Sequence, residues 1–273
     1  MLVNFIDLLK KAKEGGYAVG LFNTTDTDML EAAISAAEEM NSPIIIGTAE
    51  VLLPYGELQL IAPSVVAAAK RAKVPVVVHY DHGLTVERCY EALSLGFSSI
   101  MFDGSANELE ENLKETAKMV EYAHSLGASV EGEIGHVGLA SDGESDIYTE
   151  VDEAVNFVKA TGVDALAIAI GTAHGAYKSK PKLNLERLKE ISEAVDTPLV
   201  LHGGSGLTDE DFKNVIKGGI AKVNIFTDLC EAGYSAMTDG KENNYLELRN
   251  YKVEKIKEAI KRKIALFGSA GKA

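Results

Sequence analysis

Apolar residues along this chain come in short runs, and each run is followed by a segment whose apolar residues recur at helical spacing. The runs are residues 17–23 (YAVGLFN), 42–49 (SPIIIGTA), 74–82 (VPVVVHYDH), 98–105 (SSIMFDGS), 128–135 (ASVEGEIG), 164–175 (DALAIAIGTAHG), 197–206 (TPLVLHGGSG) and 221–228 (AKVNIFTD). Near-continuous apolar strands alternating with helices imply a parallel sheet covered on both faces. Segments such as TDMLEAAISAAEEM and NELEENLKETAKMVEYAHSLG supply those helices, and the second is expected to start at an N-cap on Asn107 and stop at Gly127. Eight βα units fit a (β/α)8 barrel, whose usual size is about 250 residues. A doubly wound open sheet would want a glycine-rich turn after its first strand, but TTDTD follows GLFN here. The predicted fold is therefore α/β: a single TIM barrel domain over residues 1–273, with an added C-terminal helix over 245–267.

Two long polar segments interrupt the pattern, residues 136–149 after strand five and 175–183 after strand six. Both follow strand C-termini, where barrel enzymes place mobile chemistry.

Bulk composition narrows the partners. Hydrophobic residues make up 46% of the chain, enough for a sizeable core, and 27 basic against 41 acidic residues give a formal charge of −14. That balance argues against nucleic acid, whose phosphates must be neutralised by basic side chains. It leaves room for a small phosphorylated ligand held by backbone N–H groups and a local cation. Cys89 and Cys230 make no disulfide framework, which suits a reduced cytoplasmic protein. MLVNFIDLLKKAKEGG has its lysines behind its apolar residues and reads as an amphipathic helix rather than a signal peptide. No apolar run approaches the roughly 18 residues of a membrane span.

The chemistry gathers at the strand ends. Of six histidines, five (His79, His82, His136, His174 and His202) lie at or just past one, and His124 lies in a helix. His82, His174 and His202 follow strands three, six and seven, so their imidazoles can converge over the barrel mouth. Three neutral imidazoles with one open position are a familiar setting for catalytic zinc. Any one of them alone would more readily be a backbone-bonded core or loop histidine. Asp81, Asp103, Glu131 and Glu133 share the same rim. Each offers an orienting partner for a metal ligand or a general acid/base; Asp103 also suits a helix cap or turn, and Glu131 a strand-face ion pair. HGGSG (202–206) and NIFTD (224–228) offer small residues, Asn224 and Thr227 where barrels often bind phosphate, with Lys178 as a nearby cation. A metal, an adjacent acid/base and a phosphate pocket together suggest reversible carbon–carbon cleavage of a ketose phosphate.

These stretches, with AVGLFN, SSIMFDGS, SVEGEIG, ALAIAIGTAHGAYK and the terminal LFGSAGKA, resemble the class II, zinc-dependent fructose-bisphosphate and tagatose-bisphosphate aldolases over nearly the whole chain. The resemblance implies a lyase of carbohydrate metabolism, such as glycolysis, and assigns roles by position. Asp81 resembles the proton donor/acceptor at the ketose C4 oxygen, and His82, His174 and His202 look like the zinc ligands. Asp103 and Glu133 resemble acids that hold the ion in an alternative, inward position. Asn23, Gly175, Gly203, Gly204, Ser205, Asn224, Ile225, Phe226 and Thr227 match substrate contacts, mainly to dihydroxyacetone phosphate, and Lys178 matches a lysine near that phosphate and a monovalent cation site. Family members are usually homodimers or homotetramers, and Arg249 looks like the arginine that reaches a neighbour's site to bind the second phosphate.

Three positions depart from the family pattern. Ser141 stands where a loop glutamate usually shuttles a proton, leaving Glu144 or Asp142 to substitute. Phe226 replaces the Asp of fructose-specific or the Ala of tagatose-specific members, and Ala49 replaces a frequent Ser or Thr at the aldehyde-side phosphate. Two other readings remain at this point. A zinc hydrolase on a barrel would want an H-x-H pair after strand one, which ends instead in Asn23. A non-catalytic relative serving as a subunit or regulator would explain the missing loop glutamate.

Overall fold

The computed structural model describes residues 1–135, 137, 148–175, 181–240 and 242–273. Among them, eight strands form a closed, all-parallel barrel in sequence order: β1 (Val19–Asn23), β2 (Ile44–Ala49), β3 (Val76–Gly83), β4 (Ser99–Phe102), β5 (Ser129–Ile134), β6 (Ala165–Ile168), β7 (Leu199–Leu201) and β8 (Ile220–Ile225). The predicted runs hold their strands, but the last residues of several runs belong to loops. β6 stops at Ile168 although apolar and small residues continue to Gly175, because GTAHG turns over the mouth.

Helices α1 (Ile6–Gly15), α2 (Thr27–Glu39), α3 (Leu58–Arg71), α4 (Val86–Ser94), α5 (Leu109–Ser125), α6 (Val151–Thr161), α7 (Leu185–Ala194), α8 (Asp209–Lys217), α9 (Thr227–Thr238) and α10 (Tyr245–Phe267) accompany the strands. Side chains cap several of them. Asp26 accepts from Met29 N at α2, and Thr208 and Asp211 form a reciprocal capping box at α8. The expected cap at Asn107 is not made: α5 starts one residue later, with Glu108 in the cap position and no side-chain bond. Gly127 does end that helix, in a left-handed conformation with φ 75°. The tail helix falls where the amphipathic pattern put it and packs on α2 and α9.

Strand alternation sorts the buried residues into two sets. Phe22, Ile44, Ile46, Val76, Val78, Tyr80, Ile100, Val130, Val223 and Ile225 pack outward against the helices. Val19, Leu21, Ile45, Val77, Met101, Ala165, Ala167 and Val200 fill the barrel's interior with Phe5, Leu8 and Leu9 of the N-terminal segment beneath them. Going up the barrel the inward positions become polar: His79, Asp81, Glu131, Glu133, His202 and Lys222 are all buried there. Among the described residues the barrel interior thus carries its ionisable groups above the apolar layers, toward the end where strands give way to loops.

Phe5 is the plug at the opposite end. It is fully buried, its backbone N–H donates to Ser129 Oγ at 3.2 Å, and its ring lies 5.8 Å from that of His79. Truncation to Ala leaves a cavity with no loop free to collapse into it. Phe5→Ala is expected to cost about 3–5 kcal/mol, read as a lower urea midpoint with an unchanged slope.

Candidate active site

The HYDHG segment would, by simple alternation, aim Asp81 inward and His82 outward. Asp81 does point inward, but His82 does not turn outward. The β3–β4 register shifts between Tyr80 and Gly83, and His82 takes a left-handed backbone conformation, φ 46°. The extra residue turns the strand so that Asp81 and His82 both face the mouth. The chain accepts at this point a backbone state that costs an ordinary residue about 1–2 kcal/mol.

Asp81 lines the cavity and is gripped from both sides. Asn23 Nδ2 donates to its Oδ2 at 2.8 Å, and Asn224 Nδ2 donates to its Oδ1 at 3.0 Å. Burial alone would raise its pKa, but His82, Lys222 and His202 outweigh that and hold the carboxyl well below the usual carboxylate range.

His82, His174 and His202 do converge. Their ring centroids are 4.8 Å (82–174), 4.5 Å (82–202) and 5.7 Å (174–202) apart, and one nitrogen from each lies within 4.8 Å of the others. Their far nitrogens decide what the near ones can do. His82 Nδ1 lies 2.8 Å from Asp103 Oδ2, and His202 Nε2 lies 2.7 Å from Glu131 Oε1. Both carboxyls are held low, Glu131 at about 2, chiefly because neighbouring positive groups overcome the effect of burial. Ionised carboxylates only accept, so both far nitrogens are N–H donors. The near nitrogens, His82 Nε2 and His202 Nδ1, therefore turn lone pairs toward each other at 2.8 Å. His174 Nε2 is buried beside them with no hydrogen-bond partner among the described residues. Three nitrogen lone pairs with carboxylates behind two of them call for a cation, and the set suits a borderline-soft divalent ion. Without one the cluster draws in a proton. Burial disfavours charge on His82, but Asp81, Asp103 and Glu133 push its pKa up to about 10, while burial and that neighbour drive His174 down to about 3.

Glu133 is the odd carboxyl. Its Oε1 accepts from Val137 N at 3.0 Å, and burial together with Asp103 pushes its pKa up to about 8. With His82 and Asp103 it forms a second group able to hold an ion. Asp103 also plays the turn role foreseen for it, accepting from Ser105 N and Oγ at 3.1 and 2.7 Å.

The cavity, about 510 Å³, is lined by Asn23, Asp81, His82, Asp103, His174 and Gly175, by Gly203–Ser205, and by Asn224–Thr227. The residues matched to phosphate contacts thus sit in one wall, where α9 starts at Thr227. His202 and Glu133 are wholly buried behind the lining. Arg249 is not at this cavity: its guanidinium pairs with Asp28 Oδ1 at 2.8 Å and with Glu31 of its own chain. Lys178, Asp142, Glu144 and Ser141 lie outside the described residues. Three contributors escaped sequence reading. The pairing of Glu131 with His202, the buried Lys222, and the Asn23 and Asn224 clamp on Asp81 all depend on barrel closure, which no local pattern carries.

A family model described as fructose-bisphosphate aldolase class-II matches residues 3–272. The chain belongs to that family of metal-dependent lyases. It is 40% identical over 307 aligned positions to the fructose-bisphosphate aldolase of Thermus caldophilus, covering 100% of both. It is 39% identical to the 6-phospho-5-dehydro-2-deoxy-D-gluconate aldolase of Halalkalibacterium halodurans, covering 100% of this chain and 98% of that one. The crystal structure of the YdjI aldolase of Escherichia coli K12 superposes with a TM-score of 0.93 at 40% identity over the full length of both chains. Relatives named for different substrates are thus equally similar, so overall identity does not choose the sugar.

Gly203, next to His202 in the cavity lining, has φ 66°, and a Cβ there would lie 2.3 Å from the backbone oxygen of Ala173. Neither backbone can yield without moving His174 or His202. Gly203→Ala is expected to destabilise by about 1–3 kcal/mol, measured by urea unfolding, and to lower the occupancy of added zinc at equilibrium.

Proposed function

We propose that the chain is a zinc-dependent aldolase that reversibly cleaves a ketose 1-phosphate to dihydroxyacetone phosphate and an aldehyde, with residues 1–273 acting as one catalytic domain. The observation that carries this reading is the meeting of three imidazole lone pairs beside a clamped, ionised Asp81 in a phosphate-ready cavity. His82, His174 and His202 would hold the ion, with Asp103 and Glu133 as a second, inner set. Bound there, zinc supplies electrophilic stabilisation of negative charge on the ketose carbonyl oxygen.

The chain's own residues do the rest. Gly203, Gly204, Ser205 and the start of α9 hold the C1 phosphate, with Gly175, Lys178 and a monovalent cation completing that side. Asp81 takes the proton of the C4 hydroxyl as the C3–C4 bond breaks, and returns it in the condensation direction. Asn23 and Asn224 keep both carboxylate oxygens aimed. An acid of the segment after β5, Glu144 or Asp142, moves the proton at C3. The exposed Tyr234, Met237, Tyr245 and Leu246 on α9 and α10 support a homodimer or homotetramer, in which Arg249 would have to leave Asp28 and Glu31 to reach a neighbour's site. Among the described residues no helix is long and apolar enough to cross a membrane, and Cys89 and Cys230 are unpaired, which suits a cytoplasmic enzyme.

The aldehyde half of the cavity is apolar. Ala49, Val51, Leu52 and Leu84 line it beyond β2 and β3, and Phe226 beyond β8. No Lys or Arg is among the described lining residues. This apolar lining within one chain, with Ala49 and Phe226 at positions that depart from the family pattern, supports an aldehyde other than glyceraldehyde 3-phosphate.

Cleavage in a coupled assay is expected to vanish with chelator and return with zinc, and Asp81→Ala is expected to lower kcat roughly 10²- to 10⁴-fold. A folded, zinc-bearing protein inert toward every ketose phosphate tried would replace the enzyme by a scaffold. In a substrate panel, kcat/KM for fructose and tagatose 1,6-bisphosphates should fall roughly 10- to 100-fold below that for the best ketose 1-phosphate of an unphosphorylated aldehyde. Efficient turnover of either bisphosphate would overturn the aldehyde assignment.

A further inference from the structure

Lys222 of β8 is fully buried inside the barrel, and the reaction above does not use it. Its ammonium reaches two groups, Glu131 Oε2 at 2.7 Å and Asn224 Oδ1 at 2.8 Å. An ammonium has donors only, so the Asn224 atom it touches must be the carbonyl oxygen. That choice leaves the amide NH₂ turned the other way, 3.0 Å from Asp81 Oδ1 and 3.3 Å from His202 Nδ1. With the amide flipped, Asn224 Oδ1 would meet the Asp81 carboxylate, two acceptors in a buried space. Asn23 cannot compensate, because it already holds the other carboxylate oxygen at 2.8 Å.

We propose that Lys222 is a positioning residue: it fixes the orientation of the Asn224 amide, and through it the aim of Asp81. The proposal rests on the assignment of proton transfer to Asp81. A buried lysine is costly unless paired, and Glu131 supplies the countercharge. Pairing by itself does not account for the lysine, since Glu131 already has His202 as a hydrogen-bonding partner. The lysine is distinguished by its second bond, which selects one of two amide orientations.

The test is a double-mutant cycle on the zinc-loaded enzyme with Lys222→Met, Asn224→Ala and the double variant. Lys222→Met is expected to lower kcat roughly 10- to 100-fold while keeping one zinc per chain against a chelator. The double variant should fall no further than Asn224→Ala alone. Losses that multiply, or zinc lost from Lys222→Met, would overturn the proposal. If Lys222→Met does not fold, Lys222→Gln is measured instead, since its amide can still donate to Asn224 Oδ1 without the charge: kcat within a few-fold of wild type supports the proposal, and a loss of tenfold or more overturns it. A wild-type protein without aldolase activity would instead count against the function. In that event a crystal structure of Lys222→Met decides: Asn224 turned away from Asp81 supports the proposal, and an unchanged contact refutes it.

Discussion

The arrangement of the mouth depends on two carboxylates that grip its histidines from their far sides. Asp103 and Glu131 hold the far nitrogens of His82 and His202 at 2.8 and 2.7 Å, and so fix which nitrogen of each ring is free. A histidine with no such partner chooses its tautomer by whatever water is near. Here the choice is made by the fold, in a space from which water is largely excluded. The nitrogens that face the cluster are set in place before an ion arrives, and a cation bound there would take the place of the proton that the cluster otherwise draws in.

The barrel makes this possible by separating two tasks along its axis. Its lower interior is filled by Val19, Leu21, Ile45, Val77, Met101 and Val200, and it is closed from below by Phe5 and Leu9. Those residues supply burial, at about 25 cal/mol per Å² of apolar surface. They free the upper positions of the same strands to carry His79, Asp81, Glu131, His202 and Lys222. Burying that many ionisable groups is tolerable because each meets an opposite charge or a hydrogen-bonding partner from another strand, often one across the barrel.

Much of this could be read along the chain. Eight apolar runs named the strands, and three histidines after three different strands named the centre, because both signals are carried by residue type and spacing. Asp81 and Asp103 were legible because they adjoin those features. Glu131 and Lys222 were not. They belong to strands five and eight, and their meeting follows from barrel shear, which no local pattern encodes. The cap assigned to Asn107 failed for a smaller reason: α5 begins one residue further on, at a Glu108 that makes no side-chain bond. Arg249 was placed by resemblance, and within one chain it answers Asp28 and Glu31 on α2.

The left-handed backbone at His82 ties robustness and reactivity to a single residue. Glycine is the residue that would relieve this position, and it is the one change that would erase a donor from the cluster. Selection for thermal endurance alone would push the site toward silence, while selection for turnover must keep the awkward histidine and recover the lost stability elsewhere, in the helices and the plug. A lineage under the first pressure would become a durable, inert barrel. The bent end of β3 is where that history would leave its first mark.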